Sequence, residues 1–456
     1  MINTFFGVAA CKATRSVLRL MKRGGTTLPG RAAMAFDKDI LAAVSKDMDI
    51  IVVTGTNGKT TTCRMIEHAL TAEGRDVLAN RSGANLLPGI TAEFTANATM
   101  TGKPRKKTAV IECDEAALKK VVPLLKPKII VVTNLFRDQL DRYGEVMHTL
   151  DQIRTGIEKV PDSVICLNAD CSLTSSLALN VPNKIFYYGI DIPTGDQNDP
   201  VVSDAKHCIR CGAEYQYEYH TYAHLGGFVC PKCGYRRHST DVGVTGILSK
   251  KATGTEVSMH LPGRKSVEAK VALPAVYNVY NALSAVCACQ AAGLDMDTAI
   301  RSLADVRSSF GRMETFKLGS TDVQMILVKN PAGCSQALTY LSDLDGDYNA
   351  VFCLNDNAAD GHDISWIWDA EYEKVCRDPH RKKILVWGSR AEDLMLRLKY
   401  GGADEAAITR VSSTDEIIGK LKESSLPVFI LPNYTSMLEL RAALSAATGG
   451  QEFWKG

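Results

Sequence analysis

The run DIIVVTGTNGKTTTCRMIEHAL, residues 49 to 70, constrains this chain more than any other stretch. A β-branched apolar segment runs into GTNGKTTT, and an amphipathic helical pattern starts there. Strand, glycine-bearing loop, lysine, hydroxyl and helix in that order are the parts of a phosphate cradle. Gly55 and Gly58 let the backbone curl, so that the amides of Gly55, Thr56, Asn57, Gly58, Lys59, Thr60 and Thr61 can face phosphate oxygens. Lys59 is expected to reach the β- and γ-phosphates, and the Thr60 hydroxyl to ligate Mg²⁺. The spacing is a compressed P-loop, and ATP is the ligand it predicts.

A Mg²⁺ beside a triphosphate also calls for a carboxylate from a neighbouring strand end. AVIECDEAAL offers Glu112, Asp114 and Glu115. Glu112 directly follows the apolar run and is the first candidate. Asp114 and Glu115 have a second reading, as a solvated cluster at a helix N-terminus.

Short β-branched strands recur in MDIIVVTG, KTAVIECD, PKIIVVTN, DSVICLNA and NKIFYYGI, with helical patterns between several of them. That rhythm predicts an α/β architecture with a parallel-rich sheet. A β-rich portion follows at 240 to 275, then the helical YNVYNALSAVCACQAAG. DVQMILVKN, NAVFCLND, KKILVWGS and LPVFILPN predict a second, smaller, Rossmann-like α/β domain. The expected organisation is a helical lead-in over 1–48, a central ATPase domain over 49–314 with an insert at 203–240, and a C-terminal partner-binding domain over 315–456. At 456 residues the chain has room for two or three such domains.

A net charge of +2 gives no whole-chain field for nucleic acid. No apolar run reaches the about 20 residues that span a bilayer. In the N-terminal MINTFFGVAACKATRSVLRLMKRGG the apolar part precedes the basic part, the reverse of a secretory signal. Lys12, Arg15, Arg19, Lys22 and Arg23 fit an amphipathic helix, packed on the protein or drawn to an anionic membrane surface. A cytoplasmic location is expected, and the second alternative makes it peripheral at the inner face of the membrane.

Most of the 14 cysteines sit singly in apolar runs, as small hydrophobes in a reducing compartment do. Cys208, Cys211, Cys230 and Cys233 instead form two C-x-x-C pairs, each followed by glycine, at 212 and 234. This spacing predicts a closed, structural Zn²⁺ site with no open coordination position. Lys232, Arg236 and Arg237 with several tyrosines raise the alternative of nucleic-acid binding, but a small module needs aromatics for its own core. No nucleic-acid partner is expected.

The loop GTNGKTTT, TNLFRDQLDRYGE (133–145), LNAD (167–170), VYNVYNAL (276–283) and FGRME (310–314) occur in an order that resembles the Mur ligase superfamily. These ligases activate a carboxylate with ATP as an acyl phosphate, which an amine attacks. The resemblance implies that Asn281 and Arg312 help hold the nucleotide, with Asn278 a weaker candidate. Two departures concern the amine. Gln139 stands where many relatives carry a metal-assisting histidine, and LVKNPAG (327–333) replaces the stretch that places an incoming amino acid.

A four-cysteine insert ahead of the GRME segment, together with DGHDISWIWD (360–369), is similar to the MurT subgroup, subunits of lipid II isoglutaminyl synthases. The resemblance implies amidation of the α-carboxylate of D-glutamate in the lipid II stem peptide. Ammonia would come from a GatD-like glutamine amidotransferase in a heterodimer. The alternative is a Mur- or folylpolyglutamate-type ligase that adds an amino acid. No cysteine here sits in a strand-to-helix nucleophile turn, so the glutaminase is expected on another chain. The resemblance also implies that Asp363 orients the partner's Cys–His pair, with Trp366 and Trp368 as interface anchors. The competing reading makes Asp363 the N-cap of a helix over SWIWDAEYEKV, with the tryptophans in the core. For the lipid-linked peptide, SGANLLPGI (82–90) is the candidate loop.

Overall fold

The computed structural model describes residues 2–21, 27–80, 84–138, 146–194, 197, 203–251, 253–306 and 312–448. Two compact units emerge, Met1–Phe136 with Val146–Val306, and Arg137–Glu145 with Arg307–Gly456. The lead-in helices Ile2–Leu20, Leu28–Phe36 and Ile40–Val44 fall within the first unit.

Among the described residues of the first unit, nine strands form one sheet. Across it lie Arg264–Val271, Gly254–Leu261, Val242–Lys251, Ile185–Ile190, Val164–Asn168, Ile129–Val132, Asp49–Thr54, Thr108–Glu112 and Val77–Ala79. The five strands expected from the sequence are all present and pair in parallel. In the three central strands, Asp49–Thr54, Thr108–Glu112 and Ile129–Val132, the apolar residues are buried on both faces, which is why they read as unbroken runs rather than alternating ones. Val77–Ala79, only three residues long, is an edge strand too short to signal itself. The last three strands along the chain, Val242–Lys251, Gly254–Leu261 and Arg264–Val271, form an antiparallel meander.

Register determines where the chemistry lies. Val53 pairs with Glu112, Thr54 with Val132, and Val132 with Leu167. The loop after Thr54, the Glu112 carboxylate, Thr133 and Asn168 therefore emerge along one edge, at the carboxyl ends of the strands. That edge is where open α/β sheets bind ligands. Helix Lys59–Ala72 leaves the loop and packs beside helix Val276–Ala291, whose residues are apolar on almost every side and buried from Asn278 to Cys289.

The second unit holds a six-stranded sheet ordered Arg312–Leu318, Thr321–Ile326, Val428–Pro432, Tyr348–Cys353, Arg381–Trp387 and Ile408–Arg410. Only its first pair is antiparallel. Its core gathers Val351, Ile430, Met437 and Leu440. The continuous helix expected over SWIWDAEYEKV is instead a 3₁₀ turn, Ser365–Asp369, an extended Ala370, and a short helix, Glu373–Cys376. The break falls at Ala370, whose backbone is extended, and the buried Arg397 guanidinium braces the irregular stretch by donating to the carbonyls of Ile367 (3.0 Å) and Ala370 (2.7 Å).

Candidate functional site

The phosphate loop is shaped by close approach. Gly55 has φ +118°, and a Cβ there would lie 2.3 Å from Thr133 Oγ1. Gly58 has φ +85°, and its Cβ would lie 2.0 Å from Asn281 Oδ1. Only glycine fits either position. Thr133 and Asn134, at the end of the neighbouring strand, buttress the loop. Thr133 Oγ1 donates to the Asn57 carbonyl (2.7 Å), while the Asn134 amide accepts from Asn57 N–H (2.9 Å) and donates to the Asn57 carbonyl (3.2 Å). Thr56 Oγ1 donates to the Phe136 carbonyl (3.2 Å) and accepts from the Phe136 amide (3.1 Å).

Lys59 opens its helix with its ammonium buried. Nζ donates to the Gly55 carbonyl (2.6 Å) and the Thr56 carbonyl (3.3 Å), and pairs with Glu115 Oε1 at 2.8 Å. Burial alone would lower its pKa, but Glu115 and Glu112 outweigh burial and hold the amine charged. Burial pushes the Glu115 carboxyl up, and the Lys59 ammonium opposes that rise. Thr60 Oγ1 donates to Glu112 Oε2 at 2.6 Å, and Asn85 Nδ2 donates to Glu112 Oε1 at 3.3 Å. Asn80 brackets the Glu112 backbone, accepting from its N–H (2.9 Å) and donating to its carbonyl (2.8 Å). A hydroxyl and a carboxylate are thus joined next to a lysine and a cradle of amides. This donor set suits a hard divalent cation bound with a polyphosphate.

Of the two acids beside Glu112, Asp114 caps helix Glu115–Leu125, accepting from Ala116 N–H. Glu115 is not solvated; it is the buried counter-ion of Lys59. That pairing spans 56 residues, and no local pattern signals it. On the opposite wall, Asn281 faces Gly58 and donates to Asn278 Oδ1 (3.0 Å), while Asn278 donates to the Pro274 carbonyl (2.6 Å). Thr61 follows Thr60, half-buried. The Arg312 side chain, Gln139 and residues 82–83 lie outside the described residues.

The four special cysteines converge, with their sulfurs all within 4.8 Å of one another. Each pair forms the same knuckle. Cys208 N–H donates to the Ala213 carbonyl and Gly212 N–H to the Cys208 carbonyl; Cys230 N–H donates to the Tyr235 carbonyl and Gly234 N–H to the Cys230 carbonyl. Gly212 and Gly234 adopt φ of +73° and +72°. Tyr215, Phe228 and Tyr235 form the module's small core. Four clustered thiols on two glycine knuckles fit a tetrahedral Zn²⁺.

In the second unit, residues 354–364 follow strand Tyr348–Cys353 and are pinned by hydrogen bonds. Asp356 accepts from Ser389 Oγ (2.8 Å), and Asp360, buried, accepts from Thr435 N–H (2.8 Å). His362 Nδ1 lies 2.9 Å from the Asp356 carbonyl. Asp363 Oδ1 accepts from Ser365 N–H at 2.8 Å, an Asx turn that starts the 3₁₀ turn. Hydrogen bonds from the Ser365 side chain and amide hold its carboxyl below the usual range. The carboxylate stays partly exposed. Trp366 is half-buried, whereas Trp368 is 49% exposed and packs edge-on to Tyr400.

A phosphate-loop α/β unit joined in one chain to a smaller α/β unit is the plan of a Mur-type ligase. The Mur ligase middle domain matches residues 53–222, and the MurT ligase C-terminal domain matches residues 327–437. The chain is 36% identical over 98% of its length to the "lipid II isoglutaminyl synthase (glutamine-hydrolyzing) subunit MurT" of Streptococcus pneumoniae, covering 98% of that protein. It is 34% identical over 96% of its length to the subunit of the same name from Staphylococcus aureus, covering 98% of it. This chain belongs to the MurT family. Among solved structures, a pseudomurein peptide ligase type C from Methanothermus fervidus superposes with a TM-score of 0.67 at 20% identity, over 90% of this chain and 80% of that one. A Mycobacterium tuberculosis folylpolyglutamate synthase superposes with a TM-score of 0.62 at 14% identity, over 98% and 99%. Both show the Mur-ligase fold.

Proposed function

We propose that this chain is the ATP-dependent synthetase subunit that amidates the D-glutamate α-carboxylate of the lipid II stem peptide, giving D-isoglutamine. A carboxylate oxygen attacks the γ-phosphorus of ATP, ADP departs, and an acyl phosphate forms. Ammonia then attacks the acyl carbon, phosphate leaves, and the nitrogen loses a proton to become the amide. The observation that carries this reading is the Lys59–Glu115 and Thr60–Glu112 arrangement at the loop, in a chain similar along its whole length to MurT subunits.

Lys59 leaves Glu115 for the β- and γ-phosphates and neutralises charge that gathers on the transferred group. The amides of Gly55 to Thr61 cradle the phosphates, while Asn281 and Arg312 hold the rest of the nucleotide. Thr60 and Glu112 would hold Mg²⁺, which screens the phosphate oxygens when bound. Cys208, Cys211, Cys230 and Cys233 would hold a structural Zn²⁺. Glutamine hydrolysis belongs to a GatD-like partner, whose Cys–His pair Asp363 would orient. An Asx turn uses one carboxylate oxygen, Oδ1, so Asp363 can cap its own turn and still offer Oδ2 to a histidine. LVKNPAG in place of an amino-acid-selecting stretch accords with ammonia as the amine.

The test is reconstitution with the co-purifying amidotransferase, following lipid II amidation by mass spectrometry. Product should require ATP and either glutamine or free ammonia, and Lys59→Ala should abolish it with either nitrogen source. Addition of an amino acid by this chain alone would overturn the reading.

A further inference from the structure

The N-terminal helix Ile2–Leu20 is held to the first unit by one side only. Val8 and Cys11 are fully buried, and Gly7 packs so closely that a Cβ would meet Ile40 Cδ1 at 2.6 Å. Lys12 Nζ donates to the Ala98 carbonyl (2.6 Å), and Arg15 pairs with Glu93 (3.4 Å). On the opposite side, Ile2, Phe6, Ala9, Ala13, Val17 and Leu20 recur at steps of three and four, a single stripe along the helix. Phe6 is 51% exposed, Val17 53% and Leu20 84%. Phe6 also stacks on the exposed Phe36 of the next helix (6.4 Å) and meets Phe5 edge-on (5.7 Å), which widens the stripe at one end. The stripe runs about 27 Å, at 1.5 Å per residue.

Charge is distributed with equal asymmetry. Residues 1 to 36 contain six cations, Lys12, Arg15, Arg19, Lys22, Arg23 and Arg31, and no Asp or Glu. With the whole chain at +2, the remainder carries −4. On the helix, Arg19 is exposed, while Lys12 and Arg15 are turned to Ala98 and Glu93. Among the described residues, no helix is long and apolar enough to cross a membrane.

We propose that this face docks on an anionic lipid bilayer, the helix lying in the plane of the interface. An exposed apolar stripe on a helix with no Asp or Glu of its own, in a segment rich in cations whose neighbouring carboxylates Asp37 and Glu93 are engaged by Thr4 and Arg15, matches the chemistry of a headgroup layer over acyl chains. A groove in a partner protein would answer the apolar stripe alone, whereas an anionic bilayer answers both the stripe and the segment's surplus of positive charge. The inference deepens the functional reading above and rests on it for purpose, because a lipid-linked substrate must be met at a membrane surface.

Flotation of the full-length chain tests the docking. Vesicles of phosphatidylcholine alone are compared with vesicles of equal parts phosphatidylcholine and phosphatidylglycerol. The chain should float with the anionic vesicles and be released by high salt. Phe6→Glu and, separately, Leu20→Glu should cut the bound fraction at least about tenfold, and Arg19→Gln about fivefold. All three should keep the melting temperature and ATP affinity of the parent, since none touches the core or the loop. A parent chain that stays in solution, or glutamate variants that float as well as the parent, would overturn the proposal. So would variants that float normally but lose the glutaminase partner or self-association in light scattering; the face would then be a protein interface. Flotation uses no substrate, so the two readings fail separately. Vesicle binding without amidation would overturn only the functional reading, and amidation in detergent without vesicle binding only this one.

Discussion

Breaking the buried Lys59–Glu115 pair should leave a protein that needs its nucleotide more. At 2.8 Å, with side chains 10% and 6% exposed, an effective dielectric of about 20 gives an attraction of about 6 kcal/mol before desolvation. Desolvation takes back a large part of that. In addition, Lys59 keeps the Gly55 and Thr56 carbonyls and the field of Glu112 when Glu115 is removed. A coupling of about 2–3 kcal/mol is therefore expected from a double-mutant cycle of Lys59→Met and Glu115→Gln. The two-unit chain need not unfold in one step, so the transition to follow is the one that ATP shifts. Glu115→Gln should lower its urea midpoint, and the increase in that midpoint on adding ATP should be larger than in the parent. The reason is that phosphate replaces the missing counter-ion, whereas in the parent the ammonium must first give up Glu115. Two results would refute the reasoning. A coupling near zero would mean that the pair contributes nothing net. A Glu115→Gln chain that ATP no longer stabilises would mean that Glu115 serves the ligand directly.

Asp363→Asn should abolish glutamine-driven amidation while sparing turnover with high free ammonia, measured side by side; equal loss in both would place Asp363 in the fold or the ligase site. Because Ser365 lowers the Asp363 pKa, the stabilisation of that turn is complete above the ordinary carboxylate range and is lost only as pH falls through the lowered value. Glutamine-driven turnover should therefore show no loss from this group at neutral or alkaline pH, which a pH profile of the ratio of the two activities would check. Gly58→Ala puts a Cβ against Asn281 at a left-handed φ, and calorimetry should find ATP binding at least about tenfold weaker. Elemental analysis should find one zinc per chain, and Cys230→Ser should lose it with a lower melting temperature.

Most of the sheet was legible because its signals are local. Runs such as IIVV and VICL can only be satisfied by burial on both faces, and the parallel pairing follows from the helices between them. The loop was legible for the same reason, since strand, glycines, lysine and hydroxyl are contiguous. The cysteine cluster depends on two short motifs, and its glycines mark the positive φ that each knuckle needs. What escaped depends on contacts distant in sequence. Glu115 looked like one more acid at a helix start, and its role depends on a lysine brought in by another strand. The helix that the competing reading placed over SWIWDAEYEKV is broken at Ala370, in a stretch braced by Arg397 some thirty residues on, a contact that no local pattern shows. Asn134 and Asn80 gave only the hint of an asparagine near a strand end.

The four-cysteine insert reads in sequence as a small module with a metal site of its own, yet it is joined to the nucleotide loop by buried contacts. Its hairpin, Gln216–Tyr222 with Leu225–Val229, sets Tyr222 and His224 against Phe136, at ring distances of 5.9 and 4.7 Å. Phe136 is the residue whose backbone grips Thr56 at both its N–H and its carbonyl. On the other side, Thr221 Oγ1 meets Tyr280 OH at 2.7 Å, one residue before the Asn281 that closes over Gly58. Arg237, just past the second knuckle, pairs with the buried Asp170 (2.6 Å) and with Asp191 (2.6 Å), and Asp170 also accepts from Ile190 N–H and Tyr280 OH. Removing one partner from a pair this buried typically costs about 3–5 kcal/mol, so the hairpin cannot swing away from the sheet without a large penalty. A metal held by the four cysteines would therefore act on a surface that already holds the loop from two directions. The same cluster on flexible tethers could be lost without consequence for Thr56 or Asn281; here its loss would be transmitted to both.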